Sequence, residues 1–262
     1  MMDSIKLLQG DCLERMNEIP DQSVDLVLAD PPYGTTACKW DSVIPIEPMW
    51  EHLKRLIRPN GAIVMTASQP FTTTLISSNM PMFKYCWVWE KEQGVNFLSA
   101  NRNPLKVHED IVVFGGTNYF PQMTRGEPYI SGHGDSGDVT GRTQKIQTKN
   151  GGNRYPRSIQ RFHRETGLHP TQKPVALMAY LIRTYTNEGD TVLDFTMGSG
   201  TTGVAAVSLD RQFWGIELDP KHFETAKRRI QDELRKIEFL EPQRVKEQRK
   251  QAVLFGSEEV TA

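Results

Sequence analysis

Thr191-Val192-Leu193-Asp194-Phe195 breaks into Thr196-Met197-Gly198-Ser199-Gly200-Thr201-Thr202-Gly203 and resumes as Val204-Ala205-Ala206-Val207. The first five residues are a short β-branched and apolar run, the mark of a buried strand. The last four have helical character, and the glycines between let a ligand come close to the backbone. Such a turn also aims a helix N-terminus, with its unpaired N–H groups, at that ligand. A further strand follows over Phe213-Trp214-Gly215-Ile216-Glu217. Its last residue, Glu217, stands about 20 residues past the glycine loop, where a carboxylate that grips ribose hydroxyls is expected. Together these features describe a site for an adenosine-containing cofactor. Gly198, Gly200 and Gly203 also spell G-x-G-x-x-G. That pattern serves several nucleotides, and a nicotinamide oxidoreductase would need a hydride-transfer constellation that neither end of the chain offers.

Far upstream, Val24-Asp25-Leu26-Val27-Leu28-Ala29 reads as a second buried strand, ending in Asp30-Pro31-Pro32-Tyr33 before Gly34. Each proline fixes its own φ and forces the preceding residue into an extended conformation. The Pro31 carbonyl is thereby held in one direction, Asp30 supplies a second acceptor, and Tyr33 offers a ring for stacking. Two acceptors around one amino group suit the exocyclic nitrogen of a nucleobase. On their own the four letters also describe a strand ending in a proline-stiffened turn; the glycine loop far downstream is what favours the chemical reading.

The two motifs in this order resemble the β-group of DNA amino-methyltransferases, enzymes that use S-adenosylmethionine and are permuted relative to ordinary methyltransferases. Gln9-Gly10-Asp11-Cys12, Asn103-Pro104-Leu105-Lys106-Val107-His108-Glu109-Asp110-Ile111 and His169-Pro170-Thr171-Gln172-Lys173-Pro174 are similar to further segments of that family. The resemblance implies an α/β fold of the Rossmann-like methyltransferase kind, circularly permuted, with a mostly parallel twisted sheet and helices on both faces. It implies Asp30, Pro31, Pro32 and Tyr33 as the catalytic cup for a base flipped out of double-stranded DNA. Phe195, Gly198 and Gly200 are expected at the methionine end of the cofactor and Glu217 on the ribose. Asp11 is expected near the adenine, with Asp194, Thr201, Thr171 and Lys173 completing the cofactor set. An acid at the first position of the cup is similar to the enzymes that methylate adenine at N6; cytosine N4 is the alternative, and a DNA-binding protein with a dead site is a third.

Between about residues 115 and 166 the core pattern gives way to glycine, serine, asparagine and basic residues. Arg142, Lys145, Lys149, Arg154, Arg157, Arg161 and Arg164 run without an acid until Glu165, and Tyr155 and Phe162 interleave with them. A solvated loop would have this composition. Beside a base-binding cup it is also what a target-recognition segment needs to contact phosphates and base edges. The chain thus divides into a first catalytic half (1–114), this inserted segment (115–166), a cofactor-binding half (167–238) and a mobile basic tail (239–262).

Formal net charge over the 262 residues is −1, so attraction to DNA has to come from a local patch. Three cysteines, Cys12, Cys38 and Cys86, lack C-x-x-C spacing, and the histidines lack H-E-x-x-H. Neither disulfides nor a metal is expected, and a reducing cytoplasm of a bacterial or phage-infected cell, at the nucleoid, is the expected location. The charged start has no apolar core behind it, so no signal peptide or membrane span is expected. A homodimer is left open.

Periodicity predicts strands at Ile5 to Gln9, Ala62 to Met65, Tyr85 to Trp89 and Ile111 to Phe114. It predicts helices at Pro48 to Ile57, from Phe71, and at Thr171 to Thr184. A last helix should open at Asp219-Pro220, with Phe223, Ala226, Ile230 and Leu234 as its apolar stripe.

Overall fold

The structure, a computed structural model, describes residues 4–35, 41–132, 147–165 and 172–255. Twelve strands occur there: β1 (Ile5–Gln9), β2 (Val24–Ala29), β3 (Ile57–Ala67), β4 (Phe83–Val95), β5 (Lys106–Gly115), β6 (Thr124–Arg125), β7 (Tyr129–Gly132), β8 (Gln147–Asn150), β9 (Asn153–Arg154), β10 (Ile159–Arg161), β11 (Thr191–Asp194) and β12 (Gln212–Glu217). The α-helices are α1 (Cys12–Arg15), α2 (Ile46–Leu56), α3 (Phe71–Ser78), α4 (Val175–Tyr185), α5 (Thr201–Val207) and α6 (Pro220–Phe255). Eight strands form one sheet in the order β1-β12-β11-β2-β3-β5-β4-β10, with only β5 antiparallel to its neighbours.

Strand β2 is buried at every position because the sheet is covered on both sides. Leu26 and Leu28 point into a core shared with α4, α5 and α6, whereas Val27 and Ala29 point into one shared with α2 and α3. The same alternation holds for Ala62/Ile63 on β3 and Ile111/Val112 on β5, as the period-two geometry of a strand requires. Ala226 and Ile230 are buried and Phe223 and Leu234 pack beside them, so the apolar stripe of the last helix lies where its spacing predicts.

The permutation is visible in the pairing. β12, near the end of the catalytic half, runs parallel to β1 at the start, from Ile5 opposite Phe213 to Gln9 opposite Glu217. The sheet closes as an ordinary doubly wound sheet does, with the break in the chain moved elsewhere.

Several boundaries differ from the sequence reading, the hairpin strands β4 and β5 by running well past their predicted ends. Helix α4 begins at Val175 because Pro174 holds an extended ψ of 136° and disfavours helix before it. Helix α2 begins two residues before Pro48, since a proline in the first turn removes only an N–H that is unpaired anyway. Strand β3 begins at Ile57 rather than Ala62 and takes in Pro59-Asn60-Gly61 as an irregularity, where the pairing jumps from Val24–Ile57 to Leu26–Ala62. Within 115–166, β10 joins the edge of the main sheet beside β4. Helix α6 runs on through the basic stretch that composition sets apart as a tail.

Candidate active site

Four neighbouring parallel strands each deliver an acid to the same edge of the sheet. In spatial order these are Asp11 just after β1, Glu217 ending β12, Asp194 ending β11 and Asp30 just after β2. Ligands of open α/β sheets bind at such carboxyl ends.

Asp30 is fixed from two sides. Its Oδ1 accepts from the Tyr33 hydroxyl at 2.7 Å and from the Thr66 hydroxyl, and those two hydroxyls stand 2.9 Å apart. Its Oδ2 accepts from the Lys173 ammonium at 2.5 Å. Lys173 is almost wholly buried and also lies 3.3 Å from Glu109 Oε2, while Glu109 Oε1 pairs with Lys91. Asp30, Lys173, Glu109 and Lys91 therefore alternate in sign along one chain of contacts. Burial alone would lower the Lys173 pKa; Asp30 and Glu109 outweigh it and hold the ammonium charged. Burial likewise works to raise Glu109, but Lys173 and then Lys91 bring it below the usual carboxylate range. Tyr33 is pushed well above the usual phenol range by burial and by Asp30, so it stays a donor.

The cup's backbone is held by a residue that the sequence reading passed over. The Asp41 carboxylate accepts from the N–H groups of Tyr33 (2.8 Å), Gly34 (2.9 Å) and Thr35 (2.9 Å). Tyr33 stacks one face on Phe71, with centroids 5.4 Å apart, so a base could use only what remains of the ring. Pro31 is buried.

On the cofactor side, Glu217 accepts from Gly198 N–H (2.8 Å) and Asp219 N–H (2.8 Å), tying the glycine loop to the start of α6. Gly198 has a φ of +52° and faces open space, whereas a Cβ on Gly200 would lie 2.8 Å from the Ala226 Cβ. Gly200 therefore lets α6 pack against the loop, and Gly198 is the glycine that leaves room for a ligand. Arg229, unremarkable in sequence, reaches from α6 to the Ser199 carbonyl (2.6 Å) and the Thr201 hydroxyl (3.2 Å). Phe195 is buried in the core. Asp11 caps α1 through Leu13 N–H at 2.8 Å. The neighbouring Cys12 thiol is pushed up to about 12, chiefly by burial, and is no nucleophile at neutral pH. Asp194 is buried and its pKa is raised to about 7, first by desolvation and then by Asp30 and Glu217, against hydrogen bonds from Thr202 and the Thr196 N–H.

Lys173 thus stands at the Asp30 carboxylate, whereas its segment in the sequence suggests the cofactor. Thr171, Arg142 and Lys145 lie outside the described residues. Of the other basic residues, Arg161 pairs with Glu90 at 2.6 Å, and Arg154 donates to Asn150 (2.8 Å) and covers the Tyr129 ring. Lys149 and Arg157 are exposed and Arg164 is half-buried. Phe162 packs against the core beside Tyr180, so of the two interleaved aromatics only Tyr155 faces solvent.

The chain is similar to known proteins over most of its length. The M.BglII type II methyltransferase of Bacillus subtilis is 29% identical over 256 residues, covering 84% of this chain and 67% of the relative. The M2.MboI type II methyltransferase of Moraxella bovis is 25% identical over 261 residues, covering 87% and 88%. Among solved structures, the M1.HpyAVI–SAM complex matches with a TM-score of 0.60 at 26% identity, over 86% of this chain and 98% of that one. The cytosine-N4-specific PvuII DNA methyltransferase matches with a TM-score of 0.62 at 15% identity over 89% and 94%, a likeness of fold alone. The family model of DNA methylases acting at N6 or N4 amino groups matches residues 24–228, and the chain belongs to that family.

Proposed function

We propose that the protein methylates the exocyclic N6 amino group of an adenine turned out of double-stranded DNA. Membership of the family makes it a DNA amino-methyltransferase with S-adenosylmethionine as donor; the choice of adenine is the finer step. The observation that carries the reading is the fixed carboxylate of Asp30, an acid at the head of the cup.

An ionised carboxylate offers about four acceptor sites. Oδ1 is enclosed by the Tyr33 and Thr66 hydroxyls, while Oδ2 keeps a lone pair beside Lys173. That lone pair and the Pro31 carbonyl would each accept one hydrogen of the target amino group. The nitrogen lone pair, delocalised into the ring in the free base, would then be directed away from both acceptors. Acceptors in place also stabilise the positive charge that develops on nitrogen. The extra proton leaves to Asp30 or to water. Turning the base out costs roughly a few kcal/mol, and stacking, at roughly 1–3 kcal/mol per base, offsets part of it.

The residues fit the donor. Thr196 Oγ1 is buried without a hydrogen-bond partner, Gly198 borders open space, and Asp194, Glu217 and Asp30 make the edge negative. S-adenosylmethionine supplies a methyl group on a cationic sulfur. Asp194 and Glu217 would balance positive charge and take hydroxyls, and Arg229 holds the loop in shape.

Because the Asp194 carboxyl is raised to about 7, it gains charge as pH rises through that value. A cationic ligand favours the ionised form, so donor affinity should strengthen about tenfold between about pH 6 and pH 8. Calorimetric titration of wild type and Asp194→Asn checks this: the variant should bind weakly and lose the chain's share of the pH dependence. An unchanged profile would place the donor's charge elsewhere.

Affinity for DNA should fall steeply with salt, each phosphate contact contributing about 0.9 to the logarithmic slope. Arg157→Ala should lower that slope by about one, and Arg161→Ala by less, because Arg161 is already paired with Glu90. Equal effects would mean that the pairing breaks on binding.

The target atom is tested by methyl transfer from labelled S-adenosylmethionine to mixed unmethylated DNA, then digestion and nucleoside chromatography. Label in N6-methyladenine is the expected result; label in N4-methylcytosine would overturn the choice of base.

A further inference from the structure

Strands β4 and β5 continue well past the sheet as a hairpin, and its tip has no role in the chemistry above. Glu109 on β5 sits opposite Trp89, and the pairing continues to Lys106 opposite Val95. Three residues of strand carry the chain about 10 Å beyond Glu109, away from the Asp30–Lys173–Glu109 contacts.

The tip is built and closed. Asn96 takes a left-handed φ of 74° and starts a 3-10 turn over Phe97–Ser99. Ser99 N–H donates to the Asn96 carbonyl (3.1 Å) and Ala100 N–H to that of Phe97 (3.1 Å). Both Arg102 and Asn103 donate their N–H to the Ser99 carbonyl at 2.9 Å. At the neck, a Cβ on Gly94 would stand 2.9 Å from the Leu105 Cβ, so the strands close tightly there. Yet this ordered turn holds Leu98 fully in solvent and Phe97 67% exposed, with Leu105 and Val107 about two-fifths exposed behind them. Large apolar side chains displayed together on a formed turn mark a contact surface.

The charge around them selects the partner. In a chain of net charge −1, residues 93–108 contain no acid, but do contain Arg102, Lys106 and His108 and the amides of Gln93, Asn96, Asn101 and Asn103. Apolar points within a basic and amide collar suit a polyanion with an apolar interior, which is an opened nucleic-acid duplex.

We propose that Phe97 and Leu98 form a wedge that enters the base stack of double-stranded DNA and fills the gap left by the base delivered to Asp30. The proposal rests on the reading that this chain acts on a base turned out of a duplex. The wedge stabilises the opened duplex, while the cup holds the extruded base.

The test uses the full chain, labelled S-adenosylmethionine, and an oligonucleotide duplex carrying the site mapped by sequencing methylated DNA. Phe97→Ala/Leu98→Ala, on solvent-facing positions, should keep donor affinity within twofold and lower kcat/KM on the duplex at least twentyfold. With an abasic site opposite the target base, where opening is already easy, the deficit should shrink below threefold. An equal deficit on both duplexes, or none on either, overturns the wedge. So does a wild-type dimer that the double variant splits without loss of activity per chain, since the tip would then join two copies. A wild type that places no label in any DNA overturns the transferase reading and this assignment with it; a normal wild type beside an insensitive double variant overturns the wedge alone.

Discussion

Replacing Asp30 with alanine is expected to lower the single-turnover rate of methyl transfer by at least about 10³-fold, with S-adenosylmethionine affinity kept within about tenfold. The asymmetry follows from position. Asp30 follows β2 and faces its carboxylate toward Tyr33, Thr66 and Lys173, whereas the glycine loop and Glu217 belong to β11, β12 and the helices after them. Removing it takes away the acceptor for the amino group and leaves two ammoniums, Lys173 and Lys91, against the single carboxylate of Glu109. The excess positive charge then opposes the positive charge that develops on the target nitrogen. Asp30→Asn should fall within about tenfold of the alanine variant. Its amide can serve the two hydroxyls or face Lys173, but it cannot accept from both sides and from the target as well. Rapid-quench kinetics beside calorimetric donor titration separate the two effects. Normal turnover in either variant would remove Asp30 from the chemistry.

The cup and the glycine loop are legible in sequence because each is made of neighbours. Prolines set the backbone of one and glycines that of the other, and both follow apolar runs that read as buried strands. The same holds for the order of the halves, which the parallel pairing of β1 with β12 accommodates. What surrounds Asp30 is a different matter. Thr66 lies 36 residues away and Lys173 lies 143 away; only the family resemblance marks Lys173, and for the cofactor, and nothing marks Thr66 until the sheet brings them together. Glu109 stands out only through the family likeness of its segment, two residues before the apolar Ile111-Val112-Val113-Phe114. The outer half of the β4–β5 hairpin gives no strand signal, because strands that leave the core lose the apolar alternation by which strands are found. Gly200 carries a packing demand that its motif does not announce. Any side chain there would meet Ala226 on α6, whatever ligand the loop's backbone borders.

Lys173→Met is the sharper test of the buried network, because the methionine fills much of the lysine's volume while removing its charge. Losing the charge-assisted bond that fixes Asp30 Oδ2, worth about 1.5–3 kcal/mol, should slow transfer by about 10- to 100-fold. Wild-type Lys173 has a raised pKa, so its contribution to stability is full below the lysine range and is lost only in strong alkali. Glu109 is held low only because Lys173 and Lys91 overcome its burial, so without Lys173 its carboxyl must rise. An acid whose pKa is raised by folding binds a proton more readily in the native state, and the native state therefore gains stability as pH falls. The Tm of Lys173→Met should accordingly lie furthest below wild type near pH 8 and approach it by about pH 5. Glu109→Gln added to Lys173→Met removes the titrating group and should make the gap independent of pH. A single-variant gap that is already constant with pH would mean that Glu109 does not feel the lysine, and that the alternating chain of charges is only geometrical. A gap that narrows in acid while transfer stays slow would separate the network's two contributions, since protonating Glu109 relieves buried charge but returns no donor to Asp30 Oδ2.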